Sequence, residues 1–133
     1  MSHDNNDEKL ARGLDVATQV YGDPALTKQM ASFADQPFSS ETIRHLFADI
    51  WSRPGLSIRD RRLLVIGATT MLGRADLLEV QIRGGILAGE FSDEELDEMV
   101  LHMGFYAGWG NTTTLHRAVG EARRTAAEMR KNG

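Results

Sequence analysis

Helix start and stop signals recur along the whole chain, whereas strand signals are nearly absent. Ser92 begins a Ser-Asp-Glu-Glu capping box, and Gly73 and Gly89 stand where helices end. No run of alternating β-branched and polar residues appears. The sequence therefore predicts an all-α fold of about seven helices in a single domain, residues 1–133. The polar, acidic residues 1–7 are expected to form a disordered tail.

Three of the predicted helices bear on function. Residues 40–51 should bury one apolar face, formed by Ile43, Leu46, Phe47 and Ile50. Residues 58–72, capped by Ser57, are apolar almost all round, which predicts a central, buried helix. Residues 94–107 should point a stripe inward, formed by Leu96, Met99, Val100, Met103 and Tyr106. A final helix is expected to be capped by Asn111.

Composition narrows the class of function. The net charge is −4, with acids and bases interspersed, which argues against nucleic acid or an anionic membrane as the partner. The longest apolar run, residues 63–68, is too short to cross a bilayer, and the N-terminus does not resemble a signal peptide. We therefore expect a cytoplasmic protein that binds neither membrane nor nucleic acid.

Cysteine is absent, which excludes disulfides, thiolate catalysis, zinc–thiolate sites and iron–sulfur clusters. Only four histidines occur, and none has the spacing of a metal motif. No metal site is therefore predicted.

Arginines cluster around the start of the helix at residue 58. The helix dipole already disfavours cations there, and the cluster consists of Arg53, Arg59, Arg61 and Arg62. Asp49, Asp60 and solvent could balance the charge. Alternatively, the guanidinium groups could form a corner that binds a carboxylate ligand.

Three further residues near the end of the 94–107 helix could do chemistry. Tyr106 and Trp109 stand beside three glycines, which is consistent either with a tight turn packed by aromatics or with a pocket wall. His102 borders the apolar stripe, and could be a satisfied boundary histidine or a general acid or base.

Gln81 is a neutral amide on an apolar, glycine-rich helix face. A buried amide without a hydrogen bond costs about 1–3 kcal/mol. Something polar should therefore meet Gln81, whether protein, water or ligand.

These residues carry a family likeness. The order IWSRPGLSIRDRRLLVIGA, followed by LGRADLLEVQIRGGILAGEFSDEELDEMVLHMGFYAGWGN, resembles the carboxymuconolactone decarboxylase family, a branch of the alkylhydroperoxidase D-like superfamily. The resemblance implies an orthogonal helical bundle that assembles as a homotrimer or homohexamer. It also implies a reaction without a cofactor, in which CO₂ leaves a small carboxylated lactone.

The likeness extends to single residues. Arg53 matches the family's Trp-x-Arg-Pro-Gly-Leu turn, and Arg61 matches the arginine that opens the central helix. Asp49 replaces the Glu that usually precedes that turn, while His102 falls on a Glu-x-x-x-His pattern. The main departure is Gln81, which stands where the family expects a histidine and cannot exchange a proton near neutral pH.

The resemblance therefore predicts a lyase with Asp49 and His102 handling protons. It assigns substrate binding to Arg53, Arg61, Gln81, Tyr106 and Trp109. The alternative is a non-catalytic oligomeric ligand-binding or accessory protein that kept the scaffold. A thiol peroxidase, as in the superfamily's Cys-x-x-Cys branch, is excluded because Arg74 and Leu77 occupy the cysteine positions.

Overall fold

Helices make up most of the computed structural model, which describes residues 3–132 and side chains from Asn5 onward. Seven α-helices and one π-helix follow one another in this part of the chain: α1 His3–Tyr21, α2 Pro24–Ala31, α3 Pro37–Glu41, the π-helix Thr42–Trp51, α4 Ile58–Met71, α5 Ala75–Leu87, α6 Asp93–Ala107 and α7 Trp109–Asn132. Residues 3–132 contain no strand, so the all-α prediction is confirmed. None of these helices is both long and apolar enough to span a membrane.

The N-terminal helix extends further than expected. Because α1 begins at His3, residues 3–7 are helical, contrary to the predicted disordered tail. Residues 1 and 2 of that tail lie outside the described part of the chain. The chain divides into two compact units, and the boundary between Arg61 and Arg62 falls within α4.

The first unit is built on the packing of α1 against the π-helix. Val20, Ile43 and Phe47 are almost completely buried there, and the ring of Phe47 contacts Tyr21 edge-on at 5.7 Å between centroids. Gly13 allows the two backbones to approach closely. A Cβ atom at Gly13 would lie 2.0 Å from the carbonyl oxygen of Ile43, so this position admits no side chain without a shift of the backbone.

The π-helix changes which residues of the 40–51 segment are buried. Ile43 and Phe47 are buried as predicted, but Leu46 is 41% exposed and Ile50 is 37% exposed. Hydrogen bonds from i to i+5 widen each turn, which brings residues four apart closer to one line. The large buried side chains are accordingly Ile43, Phe47 and Trp51, and the stripe expected from α-helical spacing was wrong at Leu46 and Ile50.

Helix α4 is less buried than its sequence predicts. Its inward face in the second unit carries Arg62, Ile66, Thr69 and Thr70, whereas its other side leaves apolar groups exposed. Those exposed side chains are Leu64, at 65%, and Met71, at 53%. The prediction of a helix buried all round was therefore wrong for the isolated chain.

The remaining helices complete the second unit. Its core is a cluster from α4 to α7: Ile66, Leu78, Ile82, Phe91, Leu96, Leu115, Ala118, Val119 and Ala122. The predicted capping box at Ser92 is present, with reciprocal hydrogen bonds to Glu95. Two details differ from expectation. Tyr106 is 71% exposed rather than inward, and α7 begins at Trp109, ahead of the predicted cap Asn111.

Candidate functional site

The amide of Gln81 meets a buried arginine. Gln81 lies on α5 and is only 6% exposed, while the side chain of Arg62, at the start of the second unit, is fully buried. Arg62 Nη1 donates to the backbone oxygen of Gln81 at 3.1 Å and to its Oε1 at 3.2 Å. The polar partner that Gln81 required is therefore supplied by the protein itself.

Arg62 is in turn held by a carboxylate from the α5–α6 loop. Its Nε donates to Glu90 Oε1 at 2.6 Å and its Nη2 to Oε2 at 3.1 Å, a two-pronged pairing that fixes the plane of the guanidinium. Gly85 makes room for this group, since a Cβ there would lie 3.0 Å from Cδ of Arg62 and 2.5 Å from the ring of Phe91. Gln81, Arg62 and Glu90 thus form one buried polar network.

Asp49 in the first unit is engaged by cations. Its carboxylate accepts from Lys9 Nζ at 2.9 Å and from Arg12 Nη2 at 2.8 Å, and His45 Nδ1 lies 3.7 Å away. The hydrogen bond from Lys9, assisted by Arg12, lowers the pKa of Asp49 below its usual 3.8. A carboxylate held in this way is a weak base near neutral pH, so the geometry favours a structural counter-ion over a proton carrier.

Replacing Asp49 with asparagine should lower stability at neutral pH and have no such effect in strong acid. Because the folded-state pKa lies below the unfolded value, the ionised group stabilises the fold above about pH 4, and that contribution disappears as the pH falls through the folded-state pKa. Urea unfolding of both proteins between pH 2 and pH 7 measures the difference. A gap that persists unchanged at pH 2 would refute the counter-ion role.

The two predicted carboxylate-binding arginines lie at the entry to α4, in the first unit. Arg61 Nη2 donates to the carbonyl oxygen of Arg53 at 3.1 Å, so Arg61 ties down the turn that presents Arg53. Ser57 Oγ accepts from the backbone NH of Asp60 at 3.0 Å and caps the helix as expected. The exposed guanidinium of Arg53 has no acidic partner among residues 5–132, which leaves it available to an anion.

His102, Tyr106 and Trp109 are displayed on the surface of the second unit. The rings of His102 and Tyr106 lie one turn apart on α6, with centroids 4.9 Å from each other. Trp109 packs over Gly104, where a Cβ would lie 2.8 Å from its ring, and it meets Phe105 edge-on. The aromatic packing at the α6–α7 turn matches the first of the two alternatives, a tight turn packed by aromatic side chains.

A cavity of about 380 Å³ opens between α6 and α7. Trp109 forms part of its wall, together with Asp97 and His116. Its lining includes neither His102 nor Tyr106, and Gln81 lies elsewhere, in the buried network. The structure therefore gives Trp109 a cavity position, while the predicted pocket roles of Tyr106 and Gln81 remain predictions.

The roles of Arg62 and Glu90 in this region were not predicted, because Arg62 was interpreted only as one of the clustered arginines. A signal for Arg62 was present, because it shares the inward face of α4 with Ile66 and Thr70 at helical spacing. Glu90 offered no comparable signal, since it lies in a loop 28 residues away from its partner. The need of Gln81 for a hydrogen bond was recognised, but its partner was not.

Comparison with known proteins decides the family. The sequence profile of the carboxymuconolactone decarboxylase family matches residues 38–121, more than half of the chain. The chain belongs to the carboxymuconolactone decarboxylase family. It is also 34% identical over 106 residues to 4-carboxymuconolactone decarboxylase from Acinetobacter baylyi (strain ATCC 33305 / BD413 / ADP1), covering 78% of each chain.

The family match includes residues from both units and almost every candidate described above. Asp49, Arg53 and Arg61 fall within residues 38–121 on the first unit, and Gln81 and His102 fall within them on the second. A family match of this extent confirms the predicted family and supports a carboxymuconolactone decarboxylase-like role, while the residue-by-residue matches stay predictions.

Proposed function

We propose that this protein is a cofactor-independent carboxy-lyase acting on a small carboxylated lactone or a related organic anion. The observation that carries the proposal is the 34% identity to a 4-carboxymuconolactone decarboxylase across 78% of both chains. The uncommitted guanidinium of Arg53 adds chemical support, because such a substrate carries a carboxylate.

The reaction needs electrostatic help and one proton. The carbon–carbon bond to the carboxylate breaks, CO₂ leaves, and the electron pair passes into the unsaturated lactone, whose carbonyl oxygen then carries negative charge. A proton adds to carbon and completes the product. An enzyme accelerates this sequence by stabilising the charge on the lactone oxygen and by supplying the proton from a positioned acid.

Within this proposal His102 transfers the proton, while the binding role of Arg53, which lies on the other unit, stays a sequence-based prediction. Histidine is the side chain most often used as general acid or base, and His102 is exposed on α6. Asp49 is the less suitable acid, because Lys9 and Arg12 stabilise its ionised form. Arg61 positions the turn that carries Arg53 by donating a hydrogen bond to the Arg53 carbonyl oxygen.

The test compares the natural protein with Gln81→His on 4-carboxymuconolactone, following loss of the lactone. We expect turnover by the natural protein and comparable or faster turnover by the variant, since a histidine could accept from Arg62 through one ring nitrogen and exchange a proton through the other. Gln81→Met, which can neither donate nor accept this bond, is the control and should be the slowest.

The alternative, a non-catalytic oligomeric ligand-binding or accessory protein, is favoured by one observation. By the resemblance described above, Gln81 stands where the family expects a histidine, and an amide cannot exchange a proton near neutral pH. If turnover appears in Gln81→His and is absent from the natural protein, the lyase proposal fails and the accessory role replaces it.

We also propose that the protein acts as a homotrimer or homohexamer. Large apolar side chains are exposed near the α6–α7 turn of the single chain, among them Phe105 at 78% and Trp109 at 67%. Contiguous exposed apolar surface of this kind marks interaction sites. Light scattering should give the mass of three or six chains, reduced by Phe105→Glu and unchanged by Glu94→Ser. A monomeric natural protein would refute the assembly.

A further inference from the structure

The orientation of the Gln81 amide follows from its neighbour. The oxygen and nitrogen of an amide are distinguished by their hydrogen-bond partners, and an arginine offers donors only. Since Arg62 Nη1 lies 3.2 Å from the end of the Gln81 side chain, the atom facing it must be Oε1. The Glu90 carboxylate, which holds Nε and Nη2, prevents the guanidinium from turning away.

The other end of the amide is left as a donor. Gln81 forms its hydrogen bonds with Arg62 and within its own helix, and none of them uses Nε2. No acceptor for Nε2 therefore lies among the described residues. Nε2 has no partner in this part of the chain but is not fully buried, so it keeps some contact with solvent on a residue that is 6% exposed. A ligand that reaches Gln81 therefore meets two N–H groups and no acceptor.

We propose that Arg62 is a positioning residue that locks Gln81 as a fixed hydrogen-bond donor to the lactone carbonyl oxygen of the substrate. This rests on the proposed lyase function. The carbonyl oxygen gains negative charge as CO₂ departs, so a donor there stabilises the transition state more than the ground state. A donor to the departing carboxylate would do the opposite, because that group loses its charge.

The direct test is NMR of the Gln81 side-chain amide in ¹⁵N-labelled protein, assigned by its loss in Gln81→Glu. The first probe is 5-oxotetrahydrofuran-2-carboxylate, a saturated lactone that cannot lose CO₂ by this route. The matched probe is tetrahydrofuran-2-carboxylate, which lacks only the carbonyl oxygen. We expect a downfield shift of the Nε2 protons with the lactone and none with the ether. Equal shifts with both probes, or no shift with either, would overturn the proposal.

A second measurement isolates Arg62. The double variant Arg62→Met with Glu90→Gln removes the lock without leaving the carboxylate charge behind, and Arg62→Lys restores a donor. In the double variant we expect kcat to fall roughly tenfold or more with little change in KM, and the lactone-induced shift to disappear. Arg62→Lys should recover part of both. A merely structural role would lower the melting temperature while leaving the shift and kcat per folded molecule intact, and that result would contradict the proposal.

The two proposals fail separately. If the natural protein releases no CO₂ but its Gln81 amide still shifts with the lactone in an Arg62-dependent way, the donor role stands and the lyase function falls. If CO₂ is released while the amide does not respond, the lyase function stands and the donor role falls. Should the double variant not fold, the two-probe comparison on the natural protein still decides the donor role.

Discussion

Replacing His102 with alanine should lower kcat for CO₂ release by about 10²–10⁴-fold, the usual contribution of a general acid or base. The fold should survive, because the imidazole is exposed on α6 and its described ring contact is with Tyr106, itself 71% exposed. Exposed substitutions of this kind usually change stability by less than about 0.5 kcal/mol. Steady-state kinetics with 4-carboxymuconolactone, accompanied by circular dichroism, measures both quantities.

His116→Ala is the matched control for this experiment. His116 is also an exposed histidine, but it lies on α7 in the wall of the α6–α7 cavity. We expect it to retain turnover close to that of the natural protein. If His102→Ala and Asp49→Ala both retain full activity, the assignment of proton transfer is wrong. Loss of activity in His116→Ala alone would move that role to α7.

Replacing Arg62 with methionine should lower the free energy of unfolding by about 3–5 kcal/mol, which is typical of breaking a buried ion pair from one side. The variant leaves the largely buried Glu90 carboxylate without its guanidinium, and it leaves Gln81 Oε1 without a donor. For a domain of this size the melting temperature should fall by roughly 10–20 °C. Calorimetry or urea unfolding would show the loss.

Arg74→Met provides a contrast that separates burial from ion pairing as such. Arg74 pairs with Asp76 through two hydrogen bonds, and the pairing lowers the pKa of Asp76 to about 2. Both side chains are more than half exposed, so solvent screens the pair and its removal should leave stability nearly unchanged. If both variants lost the same free energy of unfolding, burial would not be what makes the Arg62 network stabilising.

Local chemistry explains which parts of the fold could be predicted. Caps and stops act over three or four residues, so Ser57, Ser92 and Gly89 marked helix ends correctly. The π-helix was missed because apolar spacing was interpreted with α-helical periodicity. The close contact that Gly13 allows with Ile43 is tertiary, and spacing along one helix does not reveal it. The exposure of Leu64 was missed because an apolar side chain can be covered either by its own chain or by another copy, and sequence does not distinguish the two.

The candidate site was predicted only where the chemistry of a single residue demands a particular partner. Gln81 on an apolar face demanded a polar partner, and the structure supplies Arg62. Arg62 could not be identified as that partner, because it lies 19 residues before Gln81 in the chain and no pattern in a single sequence links the two positions. Asp49 was chosen as a proton carrier from family position alone, and its pairing with Lys9 and Arg12 became apparent only in the packed unit.

The most direct measurement of the central claim is release of labelled CO₂ from 4-carboxymuconolactone carrying ¹³C in the carboxylate that departs. The purified natural protein is used, without added cofactor and with a chelator present. The lyase function predicts one molecule of ¹³CO₂ for each molecule of lactone consumed, with Gln81 in place. Consumption without ¹³CO₂, or no consumption by a folded protein that still binds the lactone, would contradict it.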